Sequence, residues 1–246
     1  MNKKNILVYS IMRDNEGFLD TYYKQVKMLV KNNPQYNYFL SVYENDSKDN
    51  TFKKLKELDW SFFKDVSLIT ENLGSKKYGS VIADERVVNL AKARNKAINA
   101  KNFLQKSDFI LDIESDMFID DDCFSKLINF QKTHNLKNVD IVSAISWIKK
   151  KDSLKLYDTW ATRRDNKEEI GNLYPNYQNT PYGKYYSTCN GMCLFKAEPF
   201  KKGAAYSGYN DRLQKYDCDT VVICEKFHEL GYSDIYIDHT ANCFAN

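Results

Sequence analysis

The sequence predicts an α/β protein with a mostly parallel central sheet and helices on both faces. Three observations carry this. Short apolar, β-branched runs alternate with stretches of helical periodicity through the first half of the chain. Several of those runs end in a polar or acidic cluster, as strands of open α/β sheets do where they present ligand-binding groups. No internal repeat, low-complexity segment or Pro/Gly-rich linker divides the 246 residues.

Residues 6–12 read as the first strand, and 16–31 as a helix whose apolar positions Phe18, Tyr22, Val26, Leu29 and Val30 recur at helical spacing. Residues 36–43 are a second strand. Asn45-Asp46-Ser47 is a turn and cap before a helix over 51–58. A short strand at 66–70 precedes a helix over 87–103 that turns Leu90, Ala91, Ala97 and Ile98 to the sheet. Residues 108–114 are the fourth strand. Asp120-Asp121-Asp122 opens a helix to residue 133, where acidic groups suit the positive end of the dipole. This order of strand, helix, strand predicts the layered sheet. Beyond it, 140–146 is a strand, 149–186 a polar, aromatic and irregular region suited to acceptor binding, 192–195 a strand, 219–230 a helix and 235–237 a last short strand.

Hydrophobic residues at 43% and aromatics at 14% are enough for a real core, and a net charge of +3 with no long basic run does not favour nucleic acid as a partner. No run approaches the length of a membrane span, and the apolar run after Met1-Asn2-Lys3-Lys4 is a core strand rather than a leader. A cytoplasmic or other soluble compartment is the expectation. The six cysteines (Cys123, Cys189, Cys193, Cys218, Cys224, Cys243) lack paired C-x-x-C spacing, which argues for free thiols rather than a zinc site.

The chemistry concentrates at strand ends. Phe109-Ile110-Leu111-Asp112-Ile113 runs into Glu114-Ser115-Asp116, and Glu114 and Asp116 share a face in extended chain. Two hard oxygen ligands suit Mg²⁺ or Mn²⁺ clamping a diphosphate. His239, after the last strand, is a candidate third ligand beside Asp116 and Glu114, or a structural histidine. Ser10, Met12, Arg13 and Glu16 around the first strand end, Glu44, Asn45 and Asp46 at the second, and Glu114 and Ser115 at the fourth are candidate donor contacts; each cluster also reads as a cap or turn. Arg94, in Ala93-Arg94-Asn95-Lys96-Ala97, can clamp a diphosphate with its planar fork or form a surface salt bridge. Asp84-Glu85-Arg86 lies in a loop and reads as solvated or as a contact to a ribose or base. Asp217 and Asp219 are candidate acceptor-orienting or basic groups, and Asp219 equally suits an N-cap. Trp160, Arg163, Asn190, Gly191 and Met192 are candidate acceptor contacts, with Gly191 permitting close backbone approach; Trp147, Tyr185 and Tyr186 are aromatic platforms or core.

Together these pieces resemble the GT-A glycosyltransferases, with an acidic turn after the second strand, an A-R-N helix and an acidic metal motif. The chain resembles the fungal capsular mannosyltransferase-like family (glycosyltransferase family 69) more closely than the family 2 glycosyltransferases. The residues that carry this are Glu44-Asn45-Asp46-Ser47, 90–97, Tyr157-Asp158-Thr159-Trp160 with Arg163 to Asp165, Cys189-Asn190-Gly191 through Pro199-Phe200, and Asp217-Cys218-Asp219. The resemblance implies a GT-A fold, a Rossmann-type sheet in one domain with a nucleotide-sugar lobe over 1–116 and an acceptor lobe over 117–246. It implies retaining, metal-dependent transfer of a sugar, typically mannose from GDP-mannose, to a glycan or other glycoconjugate acceptor, with a UDP-linked donor also open. The chain departs from the family in having Glu114 where a strict D-x-D has aspartate, which makes Asp116 the safer metal ligand, and in lacking the membrane anchor of fungal members. A nucleotidyltransferase is the alternative, but Met12-Arg13-Asp14-Asn15-Glu16-Gly17 has one glycine where a triphosphate cradle needs several. A non-catalytic carbohydrate-binding module of the same fold is the other.

Overall fold

The computed structural model describes residues 3–79, 81, 83–151, 153–157, 159–167, 173 and 177–245. Its first half is the expected alternation: β1 (Asn5–Met12), α1 (Leu19–Asn32), β2 (Asn37–Asn45), α2 (Thr51–Glu57), β3 (Asp65–Glu71), α3 (Asp84–Ile98), α4 (Phe103–Lys106) and β4 (Phe109–Ile113). There follow β5 (Met117–Ile119), α5 (Cys123–Thr133), β6 (Ile141–Lys150), β7 (Ser153–Leu156), β8 (Tyr182–Lys184), β9 (Met192–Lys196), α6 (Glu198–Lys201), β10 (Tyr209–Asn210), β11 (Lys215–Tyr216), α7 (Asp219–Glu229) and β12 (Ile235–Ala245).

Among the described residues one ten-stranded sheet runs in the order β3-β2-β1-β4-β9-β6-β12-β5, with β7 on β6 and β8 on β12. β3, β2, β1 and β4 are parallel, β9 is antiparallel to β4 and β6, and β6 and β12 are parallel again. The carboxyl ends of β1, β2, β4 and β6 therefore share one sheet edge with the start of β9. Period-2 alternation sorts side chains between two cores. Leu111, Ile113, Met192 and Leu194 face α1 and α5, whereas Ile110, Cys193, Phe195 and Ile141 face α3 and α7.

Several segments differ from the sequence expectation, among them residues 84–86, which open α3 instead of forming a loop, and 117–119, which form the unexpected β5. The helix expected over 87–103 stops at Ile98, because Lys101 and Asn102 take left-handed backbone (φ 47° and 56°) that breaks the hydrogen-bond ladder and turns Phe103 and Leu104 into the core. The last strand is eleven residues rather than three. Its polar Asp238-His239-Thr240 does not end it but makes a bulge, where the Asp238 carboxylate accepts from the Thr240 N–H at 2.8 Å and the register against β6 shifts between Ile237 and Asn242. The stretch expected to be irregular from residue 149 holds the hairpin of β6 with β7. All six cysteines are free and buried.

Gly191 immediately precedes β9 with φ +62°, and a Cβ there would lie 2.7 Å from the Cys243 Cβ and 2.9 Å from the Met117 Sδ. Backbone hand and space both demand glycine. Its carbonyl accepts from the Glu114 N–H at 2.8 Å, so the same glycine fixes the acidic turn after β4. Gly191→Ala should cost at least about 2 kcal/mol in urea denaturation, combining left-handed strain with overpacking; a loss under half of that would show that β9 can shift.

Candidate active site

β4 runs Phe109-Ile110-Leu111-Asp112-Ile113 into Glu114, so Asp112 and Glu114 face α3 together. A carboxylate inside a buried strand needs a partner, and the structure supplies Arg94 from α3. The guanidinium ion-pairs with Asp112, donates from Nε to Asp219 Oδ2 at 3.0 Å at the start of α7, and lies 3.8 Å from Glu114 Oε1. Tyr9 of β1 donates to Asp112 at 2.8 Å and pairs with Tyr206 at 2.8 Å, and the Tyr206 ring lies 5.5 Å from the guanidinium. Arg94, Asp112 and Asp219 are all buried. Burial raises the Asp112 and Asp219 carboxyls, against the pull of Arg94. Burial alone would lower Arg94, but Asp112, Tyr9 and Asp219 hold its proton and raise it.

This places Arg94 differently from both sequence readings. It is neither a free diphosphate clamp nor a surface ion pair, because two buried carboxylates engage the planar fork. Asp219 is engaged by the same fork. Asp217 is also saturated: it accepts both arms of Arg163 at 2.9 and 2.6 Å, the Asn210 amide at 3.0 Å and the Cys218 N–H at 2.8 Å. Arg163 and Asn190 are buried, with Asn190 hydrogen-bonded to Thr162 at 3.0 Å, and Met192 lies in the core. Trp160 packs half-buried over Ala161, Cys218 and Val221. Asp158 lies outside the described residues.

The strand-end clusters meet, chiefly to brace one another. Asp14 N–H donates to Ser47 at 2.9 Å and Lys48 N–H to Asp14 at 2.7 Å. Asn50 N–H donates to Glu16 at 3.0 Å, Ser47 N–H to Glu44 at 2.9 Å, and Asn15 to Ser115 at 2.9 Å. Ser10 and Met12 are buried, and the Ser10 hydroxyl is spent on the Ile113 carbonyl at 2.6 Å and on Tyr22 at 2.8 Å, so they support the edge from beneath. Asp46, at φ 56°, accepts the N–H groups of Leu73 and Gly74 at 2.7 and 2.8 Å. Arg13 donates to the carbonyls of Ser75 and Lys76 at 2.7 and 3.2 Å. A strap over 73–76 thus crosses the ends of β1 and β2, which the sequence reading did not find, since its partners are sixty residues from Arg13 and nearly thirty from Asp46.

Asp116 is exposed on the turn between β4 and β5, and Glu114 beside it is 26% exposed at its side chain. The third expected ligand does not join them. β12 runs antiparallel to β5 with Ala245 opposite Met117, which puts His239 six residues farther along β12 from the turn. Its Nδ1–H donates to the Thr180 carbonyl at 2.8 Å, leaving Nε2 to accept from the Tyr185 hydroxyl at 3.1 Å. Burial keeps the ring below its ordinary pKa. Among the described residues no group of three or more His, Cys, Asp or Glu side chains is arranged to hold a metal ion.

A family profile described as Cryptococcal mannosyltransferase 1 matches residues 5–226. The chain belongs to that family. Solved structures agree on the fold. Residues 1–349 of Staphylococcus aureus TarS, solved with UDP-GlcNAc, superpose with a TM-score of 0.58 at 12% identity, over 98% of this chain and 58% of that one. The mannosyltransferase PcManGT from Pyrobaculum calidifontis, solved with GDP-Man and Mn²⁺, gives 0.55 at 12% identity over 97% and 56%. GalNAc-T7, solved with UDP, GalNAc and Mn²⁺, gives 0.58 at 12% over 99% and 44%. The chain has the GT-A glycosyltransferase fold and spans about half the length of these proteins. No curated protein matches it in sequence. No described helix is long and apolar enough to cross a membrane.

Two outcomes follow from the charges. Arg94→Met leaves Asp112 and Asp219 buried without their cation and should cost about 3–5 kcal/mol in chemical denaturation; a loss below 1 kcal/mol would show that the cluster is not ion-paired. Burial raises Asp46, but its bonds from Ser75, Asn45 and Gly74 outweigh this and hold the carboxyl well below the usual range. A carboxylate lowered on folding stabilises fully above its unfolded pKa of about 3.9 and loses that contribution as pH falls through the folded value. The Leu73 and Gly74 amide resonances should therefore move only on acidification below pH of about 4, and not at all in Asp46→Asn; a midpoint above 4 would contradict the strap.

Proposed function

We propose that this chain is a glycosyltransferase that moves a hexose, mannose first, from a nucleotide-sugar to a hydroxyl of a glycan or glycoconjugate. The observation that carries this is the family match across 5–226, with Asp116 exposed at the sheet edge where GT-A folds bind the donor. GDP-mannose is the first donor to test, since the mannosyltransferase among its structural neighbours was solved with GDP-Man. The donor would lie against the 1–116 half, over the braced ends of β1, β2 and β4, and the acceptor against 117–246.

Mg²⁺ and Mn²⁺ are commonly held by one or two carboxylates, with water and substrate phosphates completing the shell. Asp116, with Glu114 beside it, fits that donor set, and the two Mn²⁺-bearing neighbours support it. When bound, the ion would neutralise charge growing on the leaving nucleoside diphosphate. Arg94 would act beneath this by keeping Glu114 oriented. Asp217 and Asp219 are held in buried ion pairs and do not offer a ready base, which favours retention of configuration, where a protein base for the acceptor is not required.

The test combines a thermal-shift series of GDP-, UDP- and dTDP-sugars, with Mn²⁺ and with EDTA, and turnover assays. A ligand that binds only the folded state raises the midpoint. One nucleotide-sugar should give a Mn²⁺-dependent rise, and Asp116→Ala should abolish it and cut turnover at least about a hundredfold with the unliganded midpoint kept, because the residue is exposed. Full turnover in that variant would overturn the assignment of Asp116. Binding without turnover in the wild type would favour the non-catalytic module.

A further inference from the structure

Within the 117–246 half the structure holds a concave site apart from Asp116 and Glu114. Trp147, Tyr177, Gln178, Asn179, Thr180 and His239 line a cleft of about 400 Å³, within the range of small-molecule sites. The strand register fixes where it lies. Asp112 is opposite Cys193, and Cys193 is opposite Ser143. Counting by twos along each strand puts Ile145 level with Glu114 and Trp147 two residues beyond, on the same face of the sheet. Two strand spacings across and two residues along separate Glu114 from Trp147 by about 10–15 Å between backbones.

The walls of this cleft select a chemistry. Trp147 is pinned by its indole N–H, which donates to Asn242 Oδ1 at 3.0 Å. Its ring meets Tyr177 at a centroid distance of 6.0 Å, and Tyr177 stands edge-on to His239 at 5.8 Å. Gln178, Asn179 and Thr180 are exposed at the rim. Among the described lining residues there is no carboxylate, lysine or arginine. A rigid aromatic wall attracts the weakly positive C–H face of a pyranose through the ring quadrupole, and amides and hydroxyls both donate to and accept from sugar hydroxyls. Among these lining side chains a diphosphate or an acidic sugar would find no cation.

We propose that this cleft is a saccharide subsite that holds a neutral sugar ring of the acceptor, at least one unit removed from the ring that receives the transferred sugar. The proposal rests on the glycosyltransferase reading above and adds a preference for acceptors longer than a monosaccharide. Trp147 is the stacking platform, and Gln178 and Asn179 read the hydroxyls.

The test uses mannotriose as probe, with methyl α-mannoside and mannose 6-phosphate for comparison, titrated without donor by calorimetry and saturation-transfer NMR. Mannotriose should bind the wild-type chain. Trp147→Ala should weaken it at least tenfold, while Trp147→Phe should stay within threefold. In turnover assays Trp147→Ala should raise KM for mannotriose and leave KM for the monosaccharide within twofold. The double variant Gln178→Ala/Asn179→Ala, both exposed, should weaken mannotriose at least threefold and serves if Trp147→Ala does not fold. Unchanged mannotriose affinity in the folded variants, no binding to the wild type, or equal binding of mannose 6-phosphate would each overturn the subsite. The Mn²⁺-dependent thermal shift with nucleotide-sugar, read in the same preparations, reports on the glycosyltransferase reading separately, since saccharide binding requires no donor.

Discussion

The site depends on one buried charge cluster. Arg94 joins α3 to Asp112 of β4 and to Asp219 at the head of α7, and buried charges persist only when paired and hydrogen-bonded. The guanidinium therefore sets where α3 and α7 can sit against the sheet. Tyr9 extends the cluster to β1, and Tyr206 carries it to the loop after α6, where Asn95, the next residue on α3, exchanges hydrogen bonds of 2.8 and 2.9 Å with the Tyr206 backbone. Glu114 projects from the top of this arrangement toward solvent.

Above that foundation the edge is built by loops that satisfy one another. Glu16, Asp14 and Asp46 accept backbone N–H groups from neighbouring loops and Glu44 accepts one from its own turn, and each such bond removes an orphan donor from a turn. Charge-assisted bonds of this kind are the stronger ones. They hold the ends of β1, β2 and β3 at fixed separations, and the Asn15–Ser115 bond ties in the turn after β4. The acidic residues there divide between bracing and exposure, and Asp116 stands on the exposed side because the turn between β4 and β5 points it outward.

The alternation through β4 was legible because apolar runs and helical periodicity are local signals, and the Glu114-Ser115-Asp116 turn was legible because it ends a buried strand. Asp112 carried a signal that went unused: a carboxylate among Ile110, Leu111 and Ile113 has to find a buried cation. The bulge in β12 was not legible, since Asp238-His239-Thr240 resembles a strand end until β6 and β5 are present to pair on either side of it. His239 was misplaced for the same reason; proximity to Asp116 depends on the register of β12 and β5, which no local pattern encodes.

By itself the sequence determined the strand–helix order, the positions of the acidic strand ends and the family, because periodicity and motif spacing are properties of the linear chain. Only the tertiary structure decided which of those charged residues face solvent and which are spent inside. Arg94, Asp217 and Asp219 carry the same side chains whether they meet a substrate or a buried protein partner, and the choice rests on partners that are distant in sequence. Arg94 lies eighteen residues from Asp112 and 125 from Asp219, and only the packing of α3 and α7 onto one sheet face brings the three together.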